Sequence, residues 1–182
     1  MNAIAAVPRA PRRERLIAVV AVLAAAAIGV VAFWPAPSTD SGSDARAVSA
    51  PGFSMSYPDG WQQVERVPAG MSAIVRREDG KAFLVVREEK PLAGDADKLV
   101  GGLDRELDRR FGDFRKGSAQ VVEVEAGRAI SYTYARTRAG TANGVVLVPT
   151  GDRSYAIDTV VAAGANDAAR ELGAIVRSFD LK

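Results

Sequence analysis

An uninterrupted apolar segment near the start of the chain constrains its architecture more than any other feature. Residues 16–34 read LIAVVAVLAAAAIGVVAFW, nineteen residues without a charged or strongly polar side chain, and Pro35 follows them. As an α-helix this segment is about 28 Å long, close to the thickness of the hydrocarbon core of a bilayer. A buried helix of a globular protein usually keeps a polar face, which this segment lacks. We therefore predict a transmembrane helix over 16–34.

The flanks of the apolar segment predict its type and its orientation. A cleavable signal peptide has an apolar stretch of only about 7–15 residues with a small-residue cleavage site close behind it. The nearest such site, Ala45-Arg46-Ala47, lies well beyond the segment, so we predict an uncleaved signal anchor. Four arginines within residues 1–15, and no comparable cluster just after the span, place the N-terminus in the cytoplasm and the remainder outside the cell membrane.

The rest of the chain divides into a linker and a folded domain. Residues 35–51, PAPSTDSGSDARAVSAP, are small and polar without a period, which is typical of a flexible linker with an end-to-end distance of about 20–25 Å. The predicted organisation is therefore a basic cytoplasmic tail at 1–15, a signal anchor at 16–34, a linker at 35–51 and an extracytoplasmic domain at 52–182. The alanine-rich span is either a passive tether or a surface on which another helix packs.

Composition excludes several classes of chemistry. The chain has no His and no Cys, which rules out disulfides, thiolate or imidazole metal sites and His-activated nucleophiles. Without a cysteine there is also no acylation site of the kind that bacterial lipoproteins carry. The net charge is +2, but residues 1–15 carry +3, so the remainder is close to neutral and has no basic field for nucleic acid. We expect no metal, no cofactor and no nucleic-acid partner.

The folded part alternates short strand patterns with two helical ones. Pro58-Asp59-Gly60 has the chemistry of a tight turn and leads into Trp61, which we expect in the core. Residues 82–86, AFLVV, are continuously apolar, as in a strand covered on both faces. The predicted class is α+β, an antiparallel sheet with helices packed on it. The strands are predicted over 53–57, 62–67, 72–77, 81–87, 121–125, 129–136, 144–149 and 155–161, and the helices over 95–111, capped by Asp95 or Asp97, and over 166–179, capped by Asn166.

No polar grouping in the domain reads as a catalytic site. Asp104 and Asp108 lie one helical turn apart among arginines, which is typical of a solvated, mixed-charge face. The glycine-containing segment 139–144 lacks the lysine and the following helix of a phosphate loop and reads as a hairpin. Arg136 and Arg138 beside it either bind an anionic partner or lipid headgroup or protect an exposed strand end against aggregation.

The stretch GFSMSYPDGW at 52–61, the central AFLVV, a middle helix and the late SYAIDTVV and IVRSFDL segments together resemble the PsbP-like superfamily. That superfamily includes the extrinsic photosystem subunit PsbP and LpqN-type actinobacterial envelope lipoproteins. The resemblance covers about residues 52–182 and implies an α/β/α sandwich with a non-catalytic accessory or binding role. The residues that carry it are Phe53, Tyr57, Pro58, Gly60, Trp61 and Phe179, to which we assign structural roles.

These observations favour a single-pass binding or adaptor protein of the bacterial envelope. Its domain would meet an envelope protein or an amphiphilic ligand close to the membrane. Two other readings stay open: an accessory subunit that contacts a membrane complex through its alanine-rich span, and an envelope hydrolase that works with carboxylates alone.

Overall fold

The computed structural model describes residues 45–92 and 96–182, which form two antiparallel sheets and two helices. The predicted tail, the span at 16–34 and the linker up to residue 44 lie outside these residues. Within the described part of the chain, neither helix is long and apolar enough to cross a bilayer. The prediction of an α+β domain with helices packed on an antiparallel sheet is confirmed.

The elements follow one another in a strand-rich order that contains one helix in the middle and one near the end. Their bounds are β1 Arg46–Ala50, β2 Phe53–Tyr57, β3 Trp61–Gln63, β4 Ala73–Arg77, β5 Ala82–Glu89, α1 Ala96–Arg110, β6 Phe114–Val124, β7 Gly127–Arg136, β8 Thr141–Pro149, β9 Ser154–Ala162, α2 Asn166–Arg177 and β10 Asp180–Leu181.

The larger sheet has seven strands in the order β3-β4-β5-β9-β8-β7-β6, and every neighbouring pair is antiparallel. Because side chains alternate along a strand, each strand contributes to two faces. One face packs under α2, where Val146 and Ile157 join the main hydrophobic core; we call it the α2 face. The opposite face, with Val145 and Leu147, packs under α1 and is called the α1 face. Two layers of helix therefore sandwich the sheet.

Strand β5 shows why its sequence is continuously apolar. Leu84 and Val86 are fully buried in the core under α2, and Val85 is buried on the other face. The neighbours β4 and β9 supply hydrogen bonds along both edges. The prediction that residues 82–86 are covered on both faces is confirmed.

The smaller sheet, β1-β2-β10, closes the core next to α2. Phe53 of β2 lies between two aromatic rings, with centroid distances of 5.1 Å to Phe179 and 5.5 Å to Tyr155. Val48 of β1 is fully buried in the same core. The predicted end of the linker at Pro51 is therefore wrong, because the domain begins with β1. A five-residue strand with one buried side chain carries too little periodicity to stand out from a small, polar linker.

The tight turn before Trp61 has the geometry its residues predict. Gly60 has a φ of 79°, a conformation that favours glycine, and its carbonyl accepts a hydrogen bond from the Glu78 amide at 2.8 Å. Trp61 is fully buried, and its Nε1 donates to Glu171 Oε2 of α2 at 2.7 Å. This contact ties the first corner of the sheet to α2.

Several boundaries differ from the predictions. Asn166 is the first residue of α2 rather than its cap, since the N-cap position is Ala165 and no side chain caps the helix. Asp97 lies in the first turn of α1, and Asp95 lies outside the described residues. Strand β3 ends at Gln63 instead of continuing to 67, and β6 begins at Phe114 instead of 121. The first part of β6 is an exposed edge with a register shift, so it has no buried alternation to reveal it.

Candidate ligand groove

A groove of about 440 Å³ opens on the α2 face, between α2 and strands β6–β9. Helix α2 contacts β2, β5, β6 and β9. Its buried side chains, among them Leu172 and Ile175, belong to the main core. Beside this contact, the middle of β7 and β8 has no large side chain under the helix, and the groove occupies that space. Its volume lies within the range of small-molecule sites, about 300–1,000 Å³.

The floor of the groove consists of small side chains in adjacent register positions. Along β7 these are Ser131, Thr133 and Ala135, and Thr133 pairs with Gly144 of β8, which in turn pairs with Thr159 of β9. A Cβ atom added to Gly144 would lie 2.7 Å from Thr159 Oγ1, so glycine is needed for this close approach. The floor is therefore open because the sequence places small residues at successive inward positions.

The wall of the groove that α2 forms also consists of small residues. Ala165, Ala169 and Gly173 of the α2 region line the groove and are spaced four residues apart, which places them on one side of a helix. A Cβ atom added to Gly173 would meet only Arg177 Nη1, at 3.6 Å. A larger side chain at residue 173 would therefore have room to project into the groove.

A buried hydroxyl in the groove has no partner. Ser131 lines the floor, its side chain is 1% exposed, and its Oγ makes no hydrogen bond in the described structure. A buried polar group without a partner costs about 1–3 kcal/mol. The fold carries this cost at a position where alanine would also fit the pattern of small residues.

The charged side chains that line the groove are basic. Among the described residues they are Arg115 and Lys116 of β6, both exposed, and no aspartate or glutamate contributes to the lining. The Lys116 side chain, however, reaches Asp104 of α1 on the opposite face, so of these two residues it is the Arg115 side chain that lies on the groove side. Arg115 donates from Nη1 to the Phe114 carbonyl at 3.2 Å and is otherwise open to solvent.

On the α1 face, in contrast, Asp104 holds the helix to the sheet. It accepts hydrogen bonds from the Tyr132 hydroxyl and from Lys116. Burial acts to raise the pKa of Asp104, but these two contacts outweigh it and hold the pKa below its usual value. For Tyr132, burial and the neighbouring carboxylate raise the pKa well above its ordinary value. The prediction that Asp104 belongs to a solvated helix face is wrong, whereas Asp108 is exposed.

Asp113 organises the loop that follows β7. Its side chain is 4% exposed. Oδ1 accepts from Arg136 Nε at 2.9 Å, and Oδ2 accepts from the amides of Arg138 and Ala139 at 3.0 and 3.2 Å. Burial acts to raise the pKa of Asp113, yet these donors together lower it below its usual value. The Arg136 guanidinium also lies 4.0 Å from the centre of the Phe111 ring.

The two arginines predicted as partner contacts thus occupy different environments. Arg136 is committed to Asp113 and Phe111, whereas the Arg138 side chain is exposed. Neither lines the groove. A partner contact at either residue stays a prediction.

A further ion-pair cluster lies on the α1 face. Arg87 contacts Asp158 at 2.8 Å and Glu89 at 2.7 Å. Burial and the nearby Asp158 carboxylate raise the pKa of Tyr134 to about 12, so this phenol is neutral near neutral pH. Among residues 45–92 and 96–182, no group of three or more acidic residues is arranged to hold a metal ion.

The residues that carry the sequence resemblance lie away from the groove. Phe53, Tyr57, Trp61 and Phe179 are buried in the main core, and Pro58 and Gly60 form the turn between β2 and β3. Sequence reasoning did not find the groove. The signal was present, however, as the absence of large side chains at alternate positions of β7 and β8, where Ser131, Thr133, Ala142 and Gly144 stand.

In comparisons of sequence, no protein-family model matches the chain and no curated protein matches it either. Solved structures do match. Cyanobacterial PsbP (CyanoP) from Synechocystis sp. PCC 6803 aligns with a TM-score of 0.59 at 15% identity, covering 81% of this chain and 98% of that one.

Two further solved structures align over most of their own length. The Ran-binding protein Mog1p of Saccharomyces cerevisiae aligns with a TM-score of 0.54 at 14% identity, covering 77% of this chain and 96% of that one. LpqN of Mycobacterium tuberculosis, described as involved in cell envelope biogenesis, aligns at 0.50 and 12% identity, covering 78% and 87%. These similarities confirm the prediction of a PsbP-like fold. At such identities they show the fold alone.

Proposed function

We propose that this chain is a non-catalytic binding protein of the bacterial envelope, anchored by residues 16–34 and exposing its PsbP-like domain outside the cell membrane. The observation that carries the proposal is the groove between α2 and β6–β9, a preformed and largely apolar space lined by small side chains. Ligand sites in proteins are typically concave, mostly apolar and equipped with a few polar groups that orient the ligand. The groove fits this description.

The character of the acidic residues favours binding over catalysis. A carboxylate hydrolase needs two acids in one concave site, one of them with a raised pKa so that it can donate a proton. The described lining of the groove contains no carboxylate. Asp104 and Asp113 have lowered pKa values, and both are bound to groups that hold the α1 face together. They fit structural acceptors better than proton donors.

The membrane-proximal location rests on the sequence of residues 1–34. The arginines before the apolar segment support a cytoplasmic N-terminus, and strand β1 starts at Arg46, so about eleven residues separate the predicted span from the domain. At this separation the domain would stay close to the outer face of the cell membrane. The involvement of LpqN in cell envelope biogenesis is compatible with such a location.

Cysteine labelling in intact cells tests the topology, because the chain has no cysteine of its own. We expect Asp59→Cys, on the exposed turn after β2, to react with a membrane-impermeant maleimide in intact cells. Ala5→Cys, in the predicted tail, should react only after permeabilisation. Reaction at residue 5 but not at residue 59 in intact cells would contradict the proposed orientation.

Photocrosslinking in cells tests the groove as the binding site. A photoreactive phenylalanine analogue at Asn166, which lines the groove and is exposed, should capture a bound molecule. The same analogue at the exposed Asp59 serves as the control. An adduct specific to residue 166 and abolished by Gly173→Leu supports the proposal; equal capture at both positions would contradict it.

Replacement of the span with an unrelated one distinguishes a binding protein with a passive anchor from an accessory subunit that makes its contact through the span. If the domain carries recognition, capture at residue 166 persists with the foreign span. Loss of capture with the foreign span, at equal amounts of protein in the membrane, would favour a membrane-complex subunit that makes its contact through the alanine-rich segment.

A further inference from the structure

The two ends of the groove differ in polarity. At one end, Arg115 pairs with Ala135 of β7, which pairs with Ala142 of β8, which pairs with Val161 of β9. Helix α2 begins at Asn166, shortly after Val161. Arg115 and the start of α2 therefore flank the same end of the groove, on either side of β7 and β8. We call this end the basic mouth.

The start of α2 adds hydrogen-bond donors to the basic mouth. The first amides of a helix have no partner within the helix, and the helix dipole favours negative charge there. In α2 no side chain caps these amides, and Asn166 lines the groove. The acid in the first turn, Asp167, is ion-paired with Arg170 and does not line the groove. The mouth is thus complementary to an anion.

The other end of the groove contains the unpaired Ser131 hydroxyl. Ser131 lies four residues from Ala135 along β7, or about 13 Å at the rise of a β-strand. Between these two positions the floor and the helical wall are mainly alanine, glycine and threonine, with Val146 and Val176 beside them. A hydrocarbon chain leaves the Ser131 hydroxyl unpaired, so this hydroxyl does not select the ligand, and selection for a charged head falls to the basic mouth.

We infer that the groove binds a single-chain anionic amphiphile, with its carboxylate or phosphate head at the basic mouth and its chain along the small-residue floor. This inference rests on the proposed binding function of the groove. It follows from the Arg115 side chain and the uncapped start of α2 at the mouth, from a described lining without a carboxylate, and from a volume and floor that suit an unbranched chain. Inorganic anions match the mouth alone, and uncharged lipids match the floor alone.

The experiment uses the full chain in nanodiscs of zwitterionic lipid and a hexadecanoic acid that carries a diazirine in its chain. A hexadecanol that carries the same diazirine is the uncharged control probe. Crosslinked peptides are quantified by mass spectrometry, and peptides of the predicted span report labelling from the bilayer itself. We expect the acid to label peptides of α2 and β7–β8 about tenfold more than the alcohol does, equivalent to about 1.4 kcal/mol.

Two substitutions with matched controls locate the effect. Arg115→Gln should reduce labelling by the acid about threefold or more without changing labelling by the alcohol, and Arg76→Gln, at an exposed position of β4, should change neither. Gly173→Leu should abolish labelling by both probes, whereas Gly102→Leu on α1 should not. Circular dichroism confirms that each variant is folded.

Competition identifies the head group. Unlabelled hexadecanoate and hexadecyl phosphate compared at equal concentrations show whether the carboxylate or the phosphate head is preferred. Displacement by inorganic phosphate alone would mean that the mouth binds free anions, and the inference would be wrong. Equal groove labelling by acid and alcohol, lost in Gly173→Leu, would also overturn it but would leave the binding function of the groove standing. Absence of groove labelling by either probe would contradict both.

Discussion

Around β7–β9, polar side chains are paired on one face of the seven-stranded sheet, whereas a buried hydroxyl on the other face is not. On the α1 face, Asp104, Asp113 and Asp158 are each held by donors from other elements. On the α2 face, the hydroxyl of Ser131 is as deeply buried as any of these groups and has no partner. The same strand, β7, supplies residues to both faces.

The difference separates polar groups that stabilise the fold from a polar group that the fold itself does not use. A buried polar group that is fully paired contributes to stability, and its removal leaves its partners unsatisfied. A buried polar group without a partner lowers stability, so removing it should have the opposite effect. Stability measurements on matched substitutions can therefore test which of these polar groups stabilise the fold.

The largest effect is expected at the loop acid of the α1 face. Asp113→Ala should destabilise the domain by about 2–4 kcal/mol, because Arg136 and two backbone amides lose their acceptor. Asp152→Ala, at an exposed acid, is the control and should stay within about 0.5 kcal/mol. Thermal unfolding followed by circular dichroism measures both. A small effect at Asp113 would mean that its contacts with Arg136 and the two amides do not stabilise the fold.

The pH dependence of stability sharpens the same point. The pKa of Asp113 is lowered in the folded state from its ordinary value of 3.8, so the ionised form stabilises the fold. This contribution is fully present above about pH 4 and is lost as the pH falls through the lower folded-state pKa. We expect unfolding temperatures to drop below pH 4, with a shallower slope in Asp113→Asn. An unchanged slope in this variant would assign the acid sensitivity to other groups.

In the groove, we expect a substitution to raise the stability of the domain rather than lower it. Ser131→Ala should stabilise the domain by about 1 kcal/mol, because it removes a buried hydroxyl that has no partner. Ser154→Ala is the matched control, since the Ser154 hydroxyl is also buried but accepts a hydrogen bond from the Leu92 amide at 3.1 Å, and it should be destabilising. A destabilising Ser131→Ala would contradict the contrast between the two faces.

The smallest effect is expected at Arg138, and it distinguishes this residue from Arg136, the other arginine predicted as a partner contact. Arg136→Gln should cost about 1–2 kcal/mol, since it removes the charged partner of a buried carboxylate. Arg138→Gln should change stability by less than about 0.5 kcal/mol, because only its backbone amide contacts Asp113 and its side chain is exposed. Equal costs at both positions would show that the Arg138 side chain has a structural partner.

The main elements of the fold were predictable because their periodicity is strong. Residues 82–86 and the apolar positions of α2 could be assigned from pattern alone, and Trp61 could be placed in the core after its turn. The exposed edge of β6 and the short β1 could not, because neither has a buried face long enough to produce a period.

The groove and the Asp113–Arg136 pair were less predictable from sequence, because the residues of each come together only in the folded chain. Asp113 and Arg136 are 23 residues apart, and nothing in the local sequence of either indicates the other. The groove is defined by side chains that are missing rather than present, and its walls come from α2 and four strands that meet only in the folded chain. Arg115 at its mouth looks, in sequence, like an ordinary edge-strand arginine.

Hydrogen exchange of the full chain in nanodiscs, with and without hexadecanoate, tests the central claim most directly. The account predicts slower exchange in the first turns of α2 and in β7 and β8, where Ser131, Gly144 and Asn166 lie, with no change in the 104–113 segment of the α1 face. Slower exchange confined to the α1 face, or no change anywhere at saturating hexadecanoate, would contradict the assignment of the groove as the binding site.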